Sequence, residues 1–170
     1  MIPWICFEWK TDTLPKDEVS VEPLVIRTAE KDEKDAVART IKSAFSLDPT
    51  WGDVSKPLEE KFSRDLESTF SQSEPSCMVL AHGARIIGAS ILEVAPDSPN
   101  HLISGPCILH EYRNRGLASG LLAASLAFLR KKELPIARGI TRANSITARF
   151  IYSKFGGTQR PFEGDPLKTA

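Results

Sequence analysis

The stretch Ile108-Leu109-His110-Glu111-Tyr112-Arg113-Asn114-Arg115-Gly116-Leu117-Ala118 joins an apolar run to a long helical pattern through a single glycine. A strand, a turn and a helix with glycine at the junction form anion-binding geometry. The first backbone amides of a helix have no internal acceptor and the helix dipole is positive there, so a pyrophosphate can accept several hydrogen bonds at once. Gly116 lets the backbone approach closely, Ala118 adds little bulk, and Arg113 and Arg115 add charge and donors. The turn contains neither G-x-G-x-x-G nor G-x-x-x-x-G-K-[ST], which argues against a Rossmann dinucleotide site and against a nucleotide-hydrolysing phosphate loop.

Upstream of this turn, residues 101–109 read as a strand. Gly105-Pro106 interrupts it, and proline removes a ladder donor, so the strand is expected to be irregular near its middle. Downstream, residues 117–132 read as a helix: Leu117, Leu121, Leu122, Ser125, Phe128 and Leu129 share one face, and Arg130-Lys131-Lys132 suits its carboxyl end. Residues 136–140 then read as a short strand and residues 144–155 as a helix closed by Gly156-Gly157. A last strand is expected after Gly157.

Toward the amino terminus, residues 77–82 and 86–95 read as strands joined at His82-Gly83-Ala84-Arg85, followed by a turn cluster over 96–100. Leu58, Phe62, Leu66 and Phe70 mark a helix over 57–70. A strand over 24–27 feeds a helix over 32–45, whose apolar face holds Ala36, Val37, Ile41, Ala44 and Phe45. The connection Leu47-Asp48-Pro49-Thr50-Trp51-Gly52-Asp53 is a candidate substrate wall. Residues 1–23 carry two apolar patches, 4–9 and 19–21, and read as an edge hairpin, an arm or an extra strand. With no repeat or linker in view, residues 1–170 are expected to form one domain.

At 41% hydrophobic and 26% charged residues the chain is of globular composition. No apolar run reaches the roughly 18 residues of a membrane span, and MIPWICFEWK lacks the basic start and apolar core of a signal, so a cytoplasmic location is expected. Cys6, Cys77 and Cys107 have no metal-ligand spacing and suggest no disulfide framework. The net charge of zero argues against bulk nucleic-acid or membrane-surface binding, but the charges are unevenly spread. Residues 1–112 hold 11 Lys or Arg against 19 Asp or Glu, whereas residues 113–154 hold 9 against one, Glu133. The second half suits a phosphate-rich ligand.

The turn resembles the acetyl-CoA motif of the GCN5-related N-acetyltransferases, [QR]-x-x-G-x-[GA], with Arg113, Gly116 and Ala118 at its fixed positions. A later run, Asn144-Ser145-Ile146-Thr147-Ala148-Arg149-Phe150-Ile151-Tyr152-Ser153-Lys154-Phe155-Gly156-Gly157, resembles the family's N-x-x-A-x-x-[FL]-Y-x-K-x-G-F, matching at Ala148, Tyr152, Lys154 and Gly156. The asparagine falls one residue early, leaving Ser145 at its place, and Gly157 replaces the final aromatic. His110 stands where the family often has proline. Helical spacing by itself leaves open a structural reading, with Asn144 as a helix cap and Tyr152 as a half-buried core aromatic.

The resemblance implies an α/β (α+β) fold: a mixed, mostly antiparallel sheet of about six to seven strands with a splayed central pair, flanked by about four helices. It implies one acyl-CoA N-acyltransferase domain using acetyl-CoA as cosubstrate, with no metal. The amides from Arg113 through Asn114, Arg115, Gly116, Leu117 and Ala118 to Ser119 would hold the pyrophosphate. Ile108 and His110 would hold the pantetheine arm through their backbone, and Asn144 would face the cofactor. Tyr152 would assist departure of the thiolate. The acceptor would be a small-molecule or peptide amine that attacks the thioester directly, on a monomer or homodimer with no nucleic acid or membrane involved. Glu93 is taken as the base, though His101, Glu111 and Asp53 share that chemistry and sequence does not rank them. Trp51 and the acidic first half suit a cationic acceptor.

Two other readings use the same residues. Covalent catalysis by Cys107, between His101 and His110 in sequence, lacks a second element to complete a triad. A non-catalytic module would bind CoA, or nucleic acid, on the basic stretch of residues 113–154, although few aromatics interleave those charges.

Overall fold

The computed structural model describes residues 2–15 and 20–167. Along the chain its main elements are β1 (Trp4–Lys10), β2 (Val25–Thr28), α1 (Lys34–Ser46), α2 (Ser55–Phe70), β3 (Cys77–His82), β4 (Arg85–Ile91), β5 (Cys107–Ile108), α3 (Leu117–Lys131), β6 (Ile136–Arg142), a π-helical turn (Thr147–Ile151) and β7 (Thr158–Phe162). No helix among the described residues is long and apolar enough to cross a membrane.

The hairpin of β3 and β4 is the centre of the molecule. Its residues are apolar almost without interruption, because both of its faces are covered. Met78, Leu80 and Ile87 join the cluster built around α3, whereas Cys77, Val79, Ala89 and Ile91 join the one built around α1 and α2. A register slip between Leu80 and Ala81 lets Ile86 and Ala89 face the same cluster despite their odd spacing. Helices thus lie on both sides of a four-stranded antiparallel sheet ordered β2-β3-β4-β5.

The second sheet, ordered β6-β1-β7, is also antiparallel. β1 is its central strand: Trp4 pairs with Arg142 on one side and with Phe162 on the other. Cys6, Phe7 and Trp9 are buried on this strand, so residues 4–10 form an interior strand and not an edge hairpin. Of the second amino-terminal patch, Val21 packs against the α3 cluster, while Val19 lies outside the described residues.

The two sheets touch along β6 and then part. The amides of His101 and Leu102 both donate to the Arg138 carbonyl, at 2.8 and 3.1 Å. Two residues further along, only a side chain spans the gap, with Asn100 Oδ1 accepting from the Ile140 amide at 3.1 Å. β5 and β6 lie in different sheets and share no ladder, the splayed pair expected from the resemblance. The mixed α/β architecture, with seven strands in two antiparallel sheets and helices on both sides, is the one expected.

Two local expectations need correction. The strand over 101–109 shrinks to Cys107–Ile108, because Gly105 adopts φ +64° and the Ile91 amide donates to Ser104 Oγ at 3.0 Å instead of to a ladder carbonyl. The helix over 144–155 is a single π-helical turn, in which the Tyr152 amide donates to the Thr147 carbonyl at 2.8 Å. Its cap is Ser145, whose Oγ accepts from the Ala148 amide at 3.0 Å, and not Asn144.

Candidate active site

The amide cradle at the start of α3 follows from backbone conformation. Asn114 has φ 64° and Gly116 φ 72°, so the chain makes two left-handed steps around Arg115 before entering the helix. A Cβ on Gly116 would meet no atom within 4 Å; the glycine is required by its dihedral and not by crowding. No side chain caps this end, and the first intrahelical donor is Gly120, bonded to the Gly116 carbonyl at 3.3 Å. The amides of Leu117, Ala118 and Ser119 precede it and form a concavity suited to an anion.

The two arginines of the turn divide the work differently from their paired appearance in sequence. Arg113 turns inward: its Nη2 donates to the Ala44 carbonyl at 2.8 Å and its Nε lies 3.4 Å from the Ile108 carbonyl. It fastens the turn to the end of α1 and to β5. Arg115 is exposed, its guanidinium 5.5 Å from the Tyr112 ring. A third cation, matched in the second motif but given no role from sequence, joins the start of α3 to the segment after the π-helical turn: Lys154 Nζ donates to Ser119 Oγ at 2.8 Å. Its place in the second motif was the available signal.

A cavity of about 320 Å³ runs from this cradle along the gap between the sheets. Ile108, Arg113, Asn114, Gly116, Leu117, Ala118 and Ser119 line one end of it, and Tyr152 lines it as well. Tyr152 is 1% exposed, with its ring edge-on to Phe7 at 5.6 Å and to Trp9 at 5.2 Å. Gly105 makes room for the hydroxyl, since a Cβ there would sit 2.7 Å from it. Burial pushes the phenol further above its ordinary value of 10.0, so it stays protonated. The departure at Gly157 has a physical cause. A Cβ at that position would collide with the Tyr152 carbonyl oxygen and lie 2.6 Å from Trp9 Nε1, so the backbone and the indole of β1 together crowd the space a side chain would take.

Other sequence candidates lie away from the cavity wall. His110 and Arg115 are exposed and do not line it. Asn144 does not line it either, and its buried Oδ1 has no hydrogen-bond partner among the described residues. The Glu93 carboxylate accepts from the Val94 amide at 2.9 Å and does not face the cavity. Both ring nitrogens of His101 are engaged, Nδ1 accepting from the Arg138 amide and Nε2 lying 2.9 Å from the Ala95 carbonyl, and burial lowers its basicity. Asp53 is held ionised by a two-pronged pair with Arg142, at 2.6 and 3.0 Å. Glu111 pairs with Arg85 on the surface.

Cys107 does line the cavity, but burial pushes its thiol up to about 12, and its Sγ lies near the carbonyls of Ser104 and Gly105 with no histidine beside it. That is the environment of a packing cysteine, not of a nucleophile. Groups of histidine, cysteine and carboxylate able to hold a metal ion are absent among the described residues. Of the acidic first half, Asp48 alone among the described residues contributes a carboxylate to the wall.

Part of the wall is aromatic, a feature hidden in sequence because its parts come from distant segments. Trp4, Phe45, Trp51 and Phe62 line it. Behind two of these rings lies Arg142, itself buried, 5.8 Å from the Trp4 ring and 6.0 Å from the Trp51 ring.

Comparison with known proteins bears on the family and the fold. The family model described as the acetyltransferase (GNAT) family matches residues 38–156. Among solved structures, the chain is similar to a GCN5-related N-acetyltransferase from Sphaerobacter thermophilus, with 18% identity and a TM-score of 0.70 over 94% of this chain and 49% of that one. It is also similar to a GNAT-family acetyltransferase from Colwellia psychrerythraea, with 14% identity and a TM-score of 0.62 over 95% of this chain and 55% of that one. At these identities the likeness is one of fold, and the chain spans about half the length of both structures. No curated protein matches it.

Proposed function

The chain belongs to the acetyltransferase (GNAT) family, and we propose that it transfers the acetyl group of acetyl-CoA to the amine of a small-molecule or peptide acceptor by direct attack. The observation that carries this reading is one continuous cavity lined both by the residues whose amides are free at the start of α3 and by Tyr152, with Ile108 of β5 and Ile140 of β6 between them in its wall. The pyrophosphate takes the amides of Leu117, Ala118 and Ser119, with Lys154 nearby as counter-charge. The pantetheine arm lies along Ile108, in the gap where the β6 ladder has no partner strand.

The reaction needs only groups that face this gap. The acceptor nitrogen adds to the thioester carbonyl carbon, the carbon–sulfur bond breaks, and the sulfur leaves with the electron pair. Tyr152 donates a hydrogen bond to the departing sulfur, and the proton shed by the nitrogen completes the thiol. Because its phenol is buried and neutral, it supplies a donor dipole without placing a second negative charge beside the thiolate.

Calorimetry with acetyl-CoA, followed by thiol release over a panel of amines, tests the reading. Binding in the micromolar range together with amine-dependent thiol release is expected. No binding at millimolar concentration sinks it, and binding without release to any amine assigns the fold to a non-catalytic CoA-binding role.

A further inference from the structure

Part of the cavity wall is a box of aromatic rings drawn from four separate segments. Phe45 of α1 stands edge-on to Trp51 at 5.2 Å and lies 4.9 Å from Phe62 of α2. Trp51, on the turn between those helices, lies 6.0 Å from Trp4 of β1. Leu167, from the tail beyond β7, packs against the same cluster. Behind Phe45, Trp51 and Phe62, a second apolar gap of about 230 Å³ separates α1 from α2, so these rings have room to adjust around a bulky occupant.

The charges around the box are wrong for a polycation. Asp48 is its one carboxylate among the described residues, and Oδ1 of that group already accepts from the Thr50 amide at 3.0 Å. Two cations stand close by. Lys61 lines the same cavity, paired with Asp65 at 2.6 Å, and the buried guanidinium of Arg142 lies against the Trp4 and Trp51 rings. A second ammonium on the acceptor would find one carboxylate in the wall, already accepting from the Thr50 amide, beside two cations that hold their own acidic partners, Asp65 and Asp53, whereas an uncharged apolar body would meet ring faces and edges.

Resting on the acetyl-transfer reading above, we propose that the acceptor is a primary amine carrying one uncharged, ring-sized apolar body, which the box of Trp4, Phe45, Trp51 and Phe62 holds while the nitrogen reaches the thioester. Specificity then comes from apolar contact, whose discrimination in enzyme pockets is of order tens to hundreds of fold.

The test compares 2-phenylethylamine with 1,4-diaminobutane at fixed acetyl-CoA by thiol release. The expected kcat/KM ratio is at least about 30-fold in favour of the aromatic amine. Trp51→Ala is expected to raise the KM for 2-phenylethylamine about tenfold or more while leaving the Kd for acetyl-CoA, read by calorimetry, within about twofold. Tryptophan fluorescence of the CoA-saturated protein gives a readout independent of turnover: 2-phenylethylamine perturbs it, 1,4-diaminobutane does not, and Trp51→Phe removes most of the response. Equal or better use of the diamine overturns the acceptor assignment alone. So does the absence of any fluorescence response to the aromatic amine, or a preference for benzoyl-CoA over acetyl-CoA with no discrimination among amines. Failure to bind acetyl-CoA overturns both this assignment and the reading on which it rests.

Discussion

Tyr152 and Cys107 face the same cavity, and their surroundings assign them different work. The tyrosine is positioned by contacts on several sides: Phe7 and Trp9 fix its ring, and Gly105 leaves space at its hydroxyl. The cysteine has a thiol near carbonyl oxygens and no base. Tyr152→Phe is therefore expected to lower kcat about 10- to 100-fold, with the Kd for acetyl-CoA changed by less than about twofold, because the proposed mechanism sets the hydroxyl against the leaving sulfur and not the phosphates. Cys107→Ala is expected to keep turnover within about twofold. Steady-state kinetics beside calorimetry separates the two, and a Cys107→Ala variant without turnover but with normal folding restores covalent catalysis. Gly105→Ala is expected to harm both stability and rate, since the new Cβ meets the Tyr152 hydroxyl and the backbone there has φ +64°.

The elements that sequence made legible are those whose reason for existing is local. α3 has an apolar face, a basic end and a glycine at its start, and its observed span, Leu117–Lys131, ends one residue short of the expected 132. The hairpin of β3 and β4 announces itself through two apolar runs around Gly83. β1 was not legible as a central strand, because its place depends on pairing with segments that lie far away in sequence, which no local pattern encodes. The same holds for the aromatic box, and for Asn144, where a one-residue offset from the capping Ser145 decides which side chain works. β1 also connects the fold to the site through Trp9. This residue is fully buried, stacks on Phe7 at 6.2 Å, and donates from Nε1 to the Lys154 carbonyl at 2.9 Å. Trp9→Ala removes the ring against Tyr152 and that hydrogen bond together. A loss of about 3–5 kcal/mol in urea unfolding is expected, with a fall in kcat beyond what stability explains. A loss under about 1 kcal/mol shows that β1 is an appendage.

Across the whole molecule, buried groups that must stay neutral make the fold sensitive to alkali. Cys77 and Cys107 are each raised from an ordinary 9.0 to about 12 by burial, and Tyr152 is raised from 10.0 by the same cause. Where the folded state holds its protons more tightly than the unfolded chain, stability is fully present below the unfolded value. It is lost as pH rises toward the folded one. For the two thiols that window opens near pH 9 and runs to about pH 12, with the tyrosine adding to it above pH 10. At pH 10.5 the loss is about 2 kcal/mol per thiol, so Tm is expected to fall by roughly 10 °C between pH 8 and pH 10.5. The decisive measurement is the slope in a variant carrying Cys77→Ala and Cys107→Ala together. That variant starts with a lower Tm at pH 8, because two buried sulfur atoms are gone, yet its decline over the same range is shallower by about half. Parallel slopes mean that the buried thiols do not control the alkaline limit.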